Sequence, residues 1–258
     1  MQKRFSLFST IALGLSVLTL PVVVFATHSW NGYHWARTAN PFNLKFGTNI
    51  SSVWQASYYG ALSDWAQSSV LDTTAVAGGT NPKPCRPTNG RVEVCNAAYG
   101  TTGWLGVATI WLTGGTHIYQ GTVKLNDTYF AWPQYNKQEW RNFVTCQEIG
   151  HTFGLDHQDT NFDNPNLGTC MDYTSNPLGP PDNEHPNQHD YDELVTIYSH
   201  LDATTTIGQT TTTKGAAGVN LDNPREWGKL VKAQGRIAVY ERDFGGGNKA
   251  VTFVILAE

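Results

Sequence analysis

Hydrophobic positions along the chain change period several times, and each change marks an element. From Ser52 onward Trp54, Tyr58, Ala61, Leu62 and Trp65 recur at helical spacing, with Ser51 or Ser52 placed to cap the first turn. Upstream, residues 33–46 are rich in aromatic and extended-favouring side chains, are interrupted by Pro41, and predict a first strand with an irregular start. A loop dense in Gly and Pro spans residues 78–90. Residues 107–112 then place Ala108, Ile110 and Leu112 on one face with Thr109 and Trp111 on the other, and residues 121–126 alternate through Val123 and Leu125, so both predict sheet strands. Residues 137–153 hold no Pro and only Gly150, and Asn136 with Glu139 three residues on offers a reciprocal cap; a helix of about four turns is expected. A third helix starts near Asp190 and would bury Tyr191, Leu194, Ile197, Tyr198 and Leu201. The last segment predicts two strands, residues 236–242 and 250–256, joined through Gly245, Gly246 and Gly247.

This mixture of helices and alternating strands predicts an α+β fold, and 258 residues with 40% hydrophobic content suffice for a real core. Punctuation divides the chain. Lys3 and Arg4 precede an uncharged run from Phe5 to Phe25, and Val24-Phe25-Ala26 fits a signal-peptidase site, so residues 1–26 read as a signal peptide; the competing reading is an uncleaved anchor. Residues 27–202 form the main domain, the Thr-rich residues 203–214 a linker, and residues 215–258 a C-terminal β-hairpin appendage. At about 40 residues without cysteine, the appendage must dock on the main domain or on another chain.

Both readings of the N-terminus export the rest, and no later stretch is apolar enough to cross a membrane. Cleavage removes Lys3 and Arg4 and takes the formal charge from -4 to -6, which leaves no basic surface for nucleic acid. A secreted monomer is the expectation. The four cysteines, Cys85, Cys95, Cys146 and Cys170, all follow the signal and suit an oxidising compartment. Of three possible pairings, Cys85 with Cys95 and Cys146 with Cys170 close the shortest loops; a four-cysteine zinc site is the weaker alternative because no C-x-x-C pair occurs.

Candidate chemistry concentrates between Gln147 and His157. On a helix Gln147 and His151 leave the same face one turn apart and can share an ion. Gly154 can stop the helix in a left-handed turn that brings His157 back as a third ligand. Three protein ligands and an open position are what a hydrolytic zinc site needs, and Glu148, next to the first ligand, can take a proton from water.

At these residues the chain resembles the metzincin metallopeptidases, the matrixin-like branch in particular, whose motif is H-E-x-x-H-x-x-G-x-x-H followed by a methionine turn. Glu148, His151, Gly154 and His157 stand in register, Cys170-Met171-Asp172-Tyr173 matches the methionine turn, and the order of elements over residues 33–201 is similar. The resemblance implies a zincin fold of twisted mixed sheet on helices, one catalytic Zn2+, Met171 beneath the metal site and Tyr173 assisting the transition state. It also implies a peptide or protein substrate hydrolysed with Glu148 as general base, and an edge strand that aligns an extended peptide, expected at residues 121–126. One position departs from the motif: its first histidine is Gln147, a neutral and weaker donor to zinc than imidazole. The alternative reading is therefore a secreted pseudopeptidase that binds through the same cleft.

Other polar residues have plainer readings. His28, His34 and His117 read as hydrogen-bonded surface or core histidines, while His185 and His189 could replace Gln147 as a ligand. Asp156, Asp159, Asp172 and Asp190 read as caps and turn residues, with Ca2+ binding by some of them an unspecific option.

Overall fold

A computed structural model of the chain describes residues 27–210 and 223–257. The expected signal peptide and residues 211–214 of the expected linker lie outside the described residues. The alternating segments become strands of one mixed sheet: β1 (His34–Trp35), β2 (Phe42–Asn49), β3 (Leu71–Ala77), β4 (Val92–Ala97), β5 (Trp104–Thr113), β6 (His117–Asn126), β7 (Lys229–Gln234), β8 (Ile237–Gly245) and β9 (Asn248–Leu256). Their order is β3-β2-β4-β6-β5-β9-β8-β7, with β1 pairing parallel to the start of β6. Strands β3, β2, β4 and β6 run parallel, and every pairing from β6 through β5 to β7 is antiparallel. The helices are α1 (Gln55–Trp65), the single turn α2 (Asp127–Phe130), α3 (Gln138–His151) and α4 (Gln188–Ile197). The molecule is thus α+β, a large mixed sheet with a few helices.

The aromatic stripe read at residues 54–65 is buried as expected: Trp54, in a 3-10 turn ahead of α1, and Tyr58, Ala61, Leu62 and Trp65 all face the core. Helix α1 packs on α3, and Trp65 Nε1 donates to the Cys146 carbonyl at 3.1 Å. Helix α3 lies on β5, so the stretch of candidate ligands is held between a helix and the sheet. Both disulfides pair as read, Cys85 with Cys95 and Cys146 with Cys170. Among the described residues no helix is long and apolar enough to cross a membrane.

Several expectations are corrected. The first strand splits in two around residues 36–41, because Pro41 has no amide hydrogen to donate to a ladder. Asn136 does not cap α3: Lys137 takes the N-cap position and the Asn136 side-chain oxygen accepts from Arg141 Nη2 at 2.5 Å. The reciprocal cap forms instead at α4, where the Asn187 side chain accepts from the His189 and Asp190 amides and Asp190 answers to the Asn187 amide. Leu201, expected in the α4 stripe, lies beyond the helix and is exposed. Strand β3 carries Asp72, Thr73 and Thr74 on a half-exposed sheet edge, so it shows no hydrophobic alternation. Residues 121–126 are not an edge strand: β6 is paired with β4 on one side and β5 on the other.

The C-terminal strands continue this same sheet. Strands β8 and β9 match the two strands read there, and β7 joins them through a tight turn at Gly235. The start of the Thr-rich stretch is tied to the main domain, with Thr206 Oγ1 donating to the Ile118 carbonyl at 2.5 Å and Thr205 Oγ1 to the Ala36 carbonyl at 3.1 Å.

Candidate active site

The residues singled out between Gln147 and His157 converge at the C-terminal end of α3. Gln147, Glu148 and His151 come from one helical face and are fully buried, and Gly154 supplies the reversal that returns His157. Its φ is 94°, and a Cβ there would stand 1.9 Å from the Tyr33 carbonyl oxygen, so both the conformation and the space require glycine. The reversal brings the rings of His151 and His157 to 4.6 Å between centroids.

Each candidate ligand is oriented by a bond on its far side. His151 Nδ1 donates to the Leu155 carbonyl at 2.8 Å and His157 Nδ1 to Asp156 Oδ1 at 3.3 Å, which leaves each Nε2 with its lone pair free. Gln147 Nε2 donates to the Cys170 and Asp172 carbonyls at 2.6 and 2.8 Å, so two acceptors fix the amide and leave Oε1 as its free end. These carbonyls flank Met171, which packs beneath α3 where a Cβ on Gly150 would lie 2.5 Å from its Sδ. Cys146–Cys170 joins the same two segments covalently.

Gln147 Oε1, His151 Nε2 and His157 Nε2 are buried without a hydrogen-bond partner, and the buried Glu148 carboxylate faces the Ala108 amide of β5. Buried polar atoms are rarely left unpaired, and three within eleven residues, all with lone pairs to offer, make a candidate ligand set. The donor set of two imidazole nitrogens and an amide oxygen fits zinc, with the weaker amide in the position where the motif has histidine. Burial, with His157 alongside, pushes the His151 pKa well below its ordinary value, and burial lowers that of His157, so both rings are neutral as ligands must be. Burial pushes the Glu148 carboxyl well above the usual carboxylate range. Burial acts to raise Asp156 as well, but His157 and Lys232, whose Nζ stands 2.7 Å from Asp156 Oδ2, hold it well below that range.

Tyr173 is buried 6.3 Å from His157 between ring centroids, against Phe162. The two histidines weighed as substitutes for Gln147 have other partners: His185 binds Asp64 at 2.7 Å and His189 stacks on His28. The aspartates act as turn and cap residues, Asp159 accepting from the Asn161 amide, Asp172 from the Leu167 amide and Asp190 in the α4 cap.

What sequence reading did not find is the cover. Strand β9 pairs antiparallel with β5 along its whole length, Ala108 opposite Phe253, so the sheet edge beside α3 is already filled. Glu148 faces that strand pair, since a Cβ on Gly106 of β5 would lie 2.7 Å from its Oε1. The Phe253 ring stacks on His151 at 4.3 Å with an interplanar angle of 6°. Under β9 remains a cavity of about 10 Å³, lined in part by Tyr173, Phe162, Arg236 and Ile255, room for about one water. No short motif marks Phe253 or Lys232, which reach His151 and Asp156 from 102 and 76 residues further along the sequence. No family model matches the chain, and no curated protein matches it.

Proposed function

We propose that the chain is a metal-dependent endopeptidase of metzincin type, held closed by its own C-terminal strand. The observation that carries this reading is the set of three unpartnered buried atoms on Gln147, His151 and His157, with the buried Glu148 carboxylate on the same helix end. Gln147 Oε1, His151 Nε2 and His157 Nε2 would hold one Zn2+, which when bound supplies Lewis acidity toward a carbonyl and toward water. Glu148, whose carboxyl burial raises above the usual carboxylate range, would in its ionised form take a proton from the attacking water and deliver it to the leaving amine. Tyr173, kept protonated by burial, donates a hydrogen bond to the oxyanion of the transition state. Met171 and the Cys146–Cys170 bridge fix the helix end on which these groups ride. The peptide aligns on the outer edge of β5, the place β9 now takes.

Glu148→Ala should keep stoichiometric zinc and abolish cleavage of an unstructured protein, because the carboxylate moves protons and ligates nothing. Near-normal turnover in the purified variant would show that the mechanism is wrong. The covered cleft and the glutamine also favour a second reading, a secreted binding protein. Zinc analysis of the native chain separates the two: a chain without stoichiometric metal, inert with zinc supplied, belongs to the second.

A further inference from the structure

Four side chains near Tyr198 converge without sharing a residue with the candidate active site. His34 stands on β1 and His117 opens β6 directly beside it in register, while His200 and Asp202 follow α4. His34 Nε2 lies 3.2 Å from His200 Nε2 and 3.5 Å from Asp202 Oδ1, and the same oxygen is 3.2 Å from His117 Nε2 and 3.8 Å from His200 Nε2. We infer that His34, His117, His200 and Asp202 form a second, structural zinc site.

The spacing decides between a metal cluster and a set of hydrogen bonds. Charge-assisted bonds from imidazole to carboxylate contract to about 2.7–2.9 Å, and none of the three contacts to Asp202 Oδ1 does so. Ligand atoms of one tetrahedral zinc stand about 3.3–3.4 Å apart; His34 Nε2, His117 Nε2 and Asp202 Oδ1 lie within 4.8 Å of one another, the compass of one ion, and the half-exposed His200, with its Nε2 3.2 Å from that of His34, completes the set by a side-chain rotation. The His34 ring meets those of His117 and His200 edge-on, at 78° and 89°, so neither stacks face to face on it.

The surroundings orient the ligands. His34 Nδ1 donates to the Gly32 carbonyl at 2.7 Å, which leaves Nε2 with its lone pair. Asp202 Oδ2 accepts from the Arg37 amide at 3.1 Å and from Arg37 Nη1 at 2.9 Å, so Oδ1 is the oxygen left for the cluster. The same buried guanidinium donates to the His200 carbonyl and lies over the Tyr198 ring. The His200 side chain is half exposed and that of His117 one-third exposed, which gives an ion a path in. Zinc here would join the N-terminal strand, the central strand β6 and the chain leaving α4, three segments that no disulfide connects.

The test is zinc per chain in the full-length exported protein, measured by elemental analysis after exhaustive dialysis against micromolar zinc. His117→Ala with His200→Ala should lower the native number by one, and zinc should raise the melting temperature of the native chain more than that of the variant. A fall from two to one supports both metal sites. A fall from one to none supports this site and overturns the ligand role of Gln147, His151 and His157. An unchanged number, or a native chain without zinc, overturns this site. Should the double variant fail to fold, His200→Ala alone, at a half-exposed position, should weaken zinc affinity at this site at least tenfold; unchanged affinity overturns it equally.

Discussion

At the scale of single residues, Gln147 carries two duties that its atoms divide. Its Nε2 holds the turn at Met171 through the Cys170 and Asp172 carbonyls, and its Oε1 is left without a partner, as the proposed metal ligand. Histidine there can supply the ligand but cannot make both of those bonds. Gln147→His should therefore bind zinc at least as tightly as the native chain yet lose about 1–3 kcal/mol of apo stability, each lost bond counting for about 0.5–1.5 kcal/mol. Gln147→Ala should lower zinc affinity by about an order of magnitude or more, because two protein ligands remain. Gln147→Glu keeps an oxygen for the ion but turns a carboxylate on two carbonyls, and should be the least stable apoprotein of the three. Zinc titration beside denaturant unfolding of the four proteins checks the ordering; an alanine variant that binds zinc like the native chain would remove Gln147 from the ligand set.

At the scale of elements, the turn after α3 converts a helix end into a site. Gly154→Ala meets both a positive φ and the Tyr33 carbonyl, so it should destabilise the fold by more than about 2 kcal/mol and weaken zinc binding with it, the His157 backbone being displaced. Urea unfolding decides, and a variant as stable as the native chain would mean the turn adapts. This turn, α1 with its aromatic stripe and both disulfides were legible in the sequence because each is written locally, within a dozen or so positions or in a short cysteine spacing. The sheet edge was not. Residues 104–113 and 117–126 alternate alike, and which one lies outermost depends on a partner more than a hundred residues later. Strand β3 was missed because its side chains sit half in water, and the His34, His117, His200 and Asp202 cluster because no two of its histidines share a motif spacing. Asn136 looked like a cap and is not one, since Arg141 competes for its oxygen from within the helix.

At the scale of the whole molecule, the question is what β9 does to the cleft. It is buried on both faces: Val251, Phe253 and Ile255 join the main core over α3, while Val254 packs under Trp227 with Trp104 and Ala238. Lys232 of β7 adds an ion pair to Asp156, which in turn orients His157. An extended segment that runs antiparallel to β5 and stacks on His151 occupies the position the proposed peptide substrate would need, and as part of the same chain it would compete at high effective concentration. A specific cut introduced between Thr210 and Asn223 removes that advantage. The cut chain should be as inactive as the intact one while concentrated, because the strands stay paired. On dilution or mild denaturant the fragment beginning at Asn223 should leave, and cleavage of an unstructured protein should rise at least tenfold. Added back as a synthetic peptide of residues 223–258, it should inhibit again, and Phe253→Ala in that peptide should weaken inhibition, since the ring on His151 is lost. Activity against dilution, with fragment release followed by gel filtration, is the measurement; an intact chain that already cleaves at the full rate, or a released domain that stays inert with zinc present, would each end the idea that β9 holds the enzyme closed.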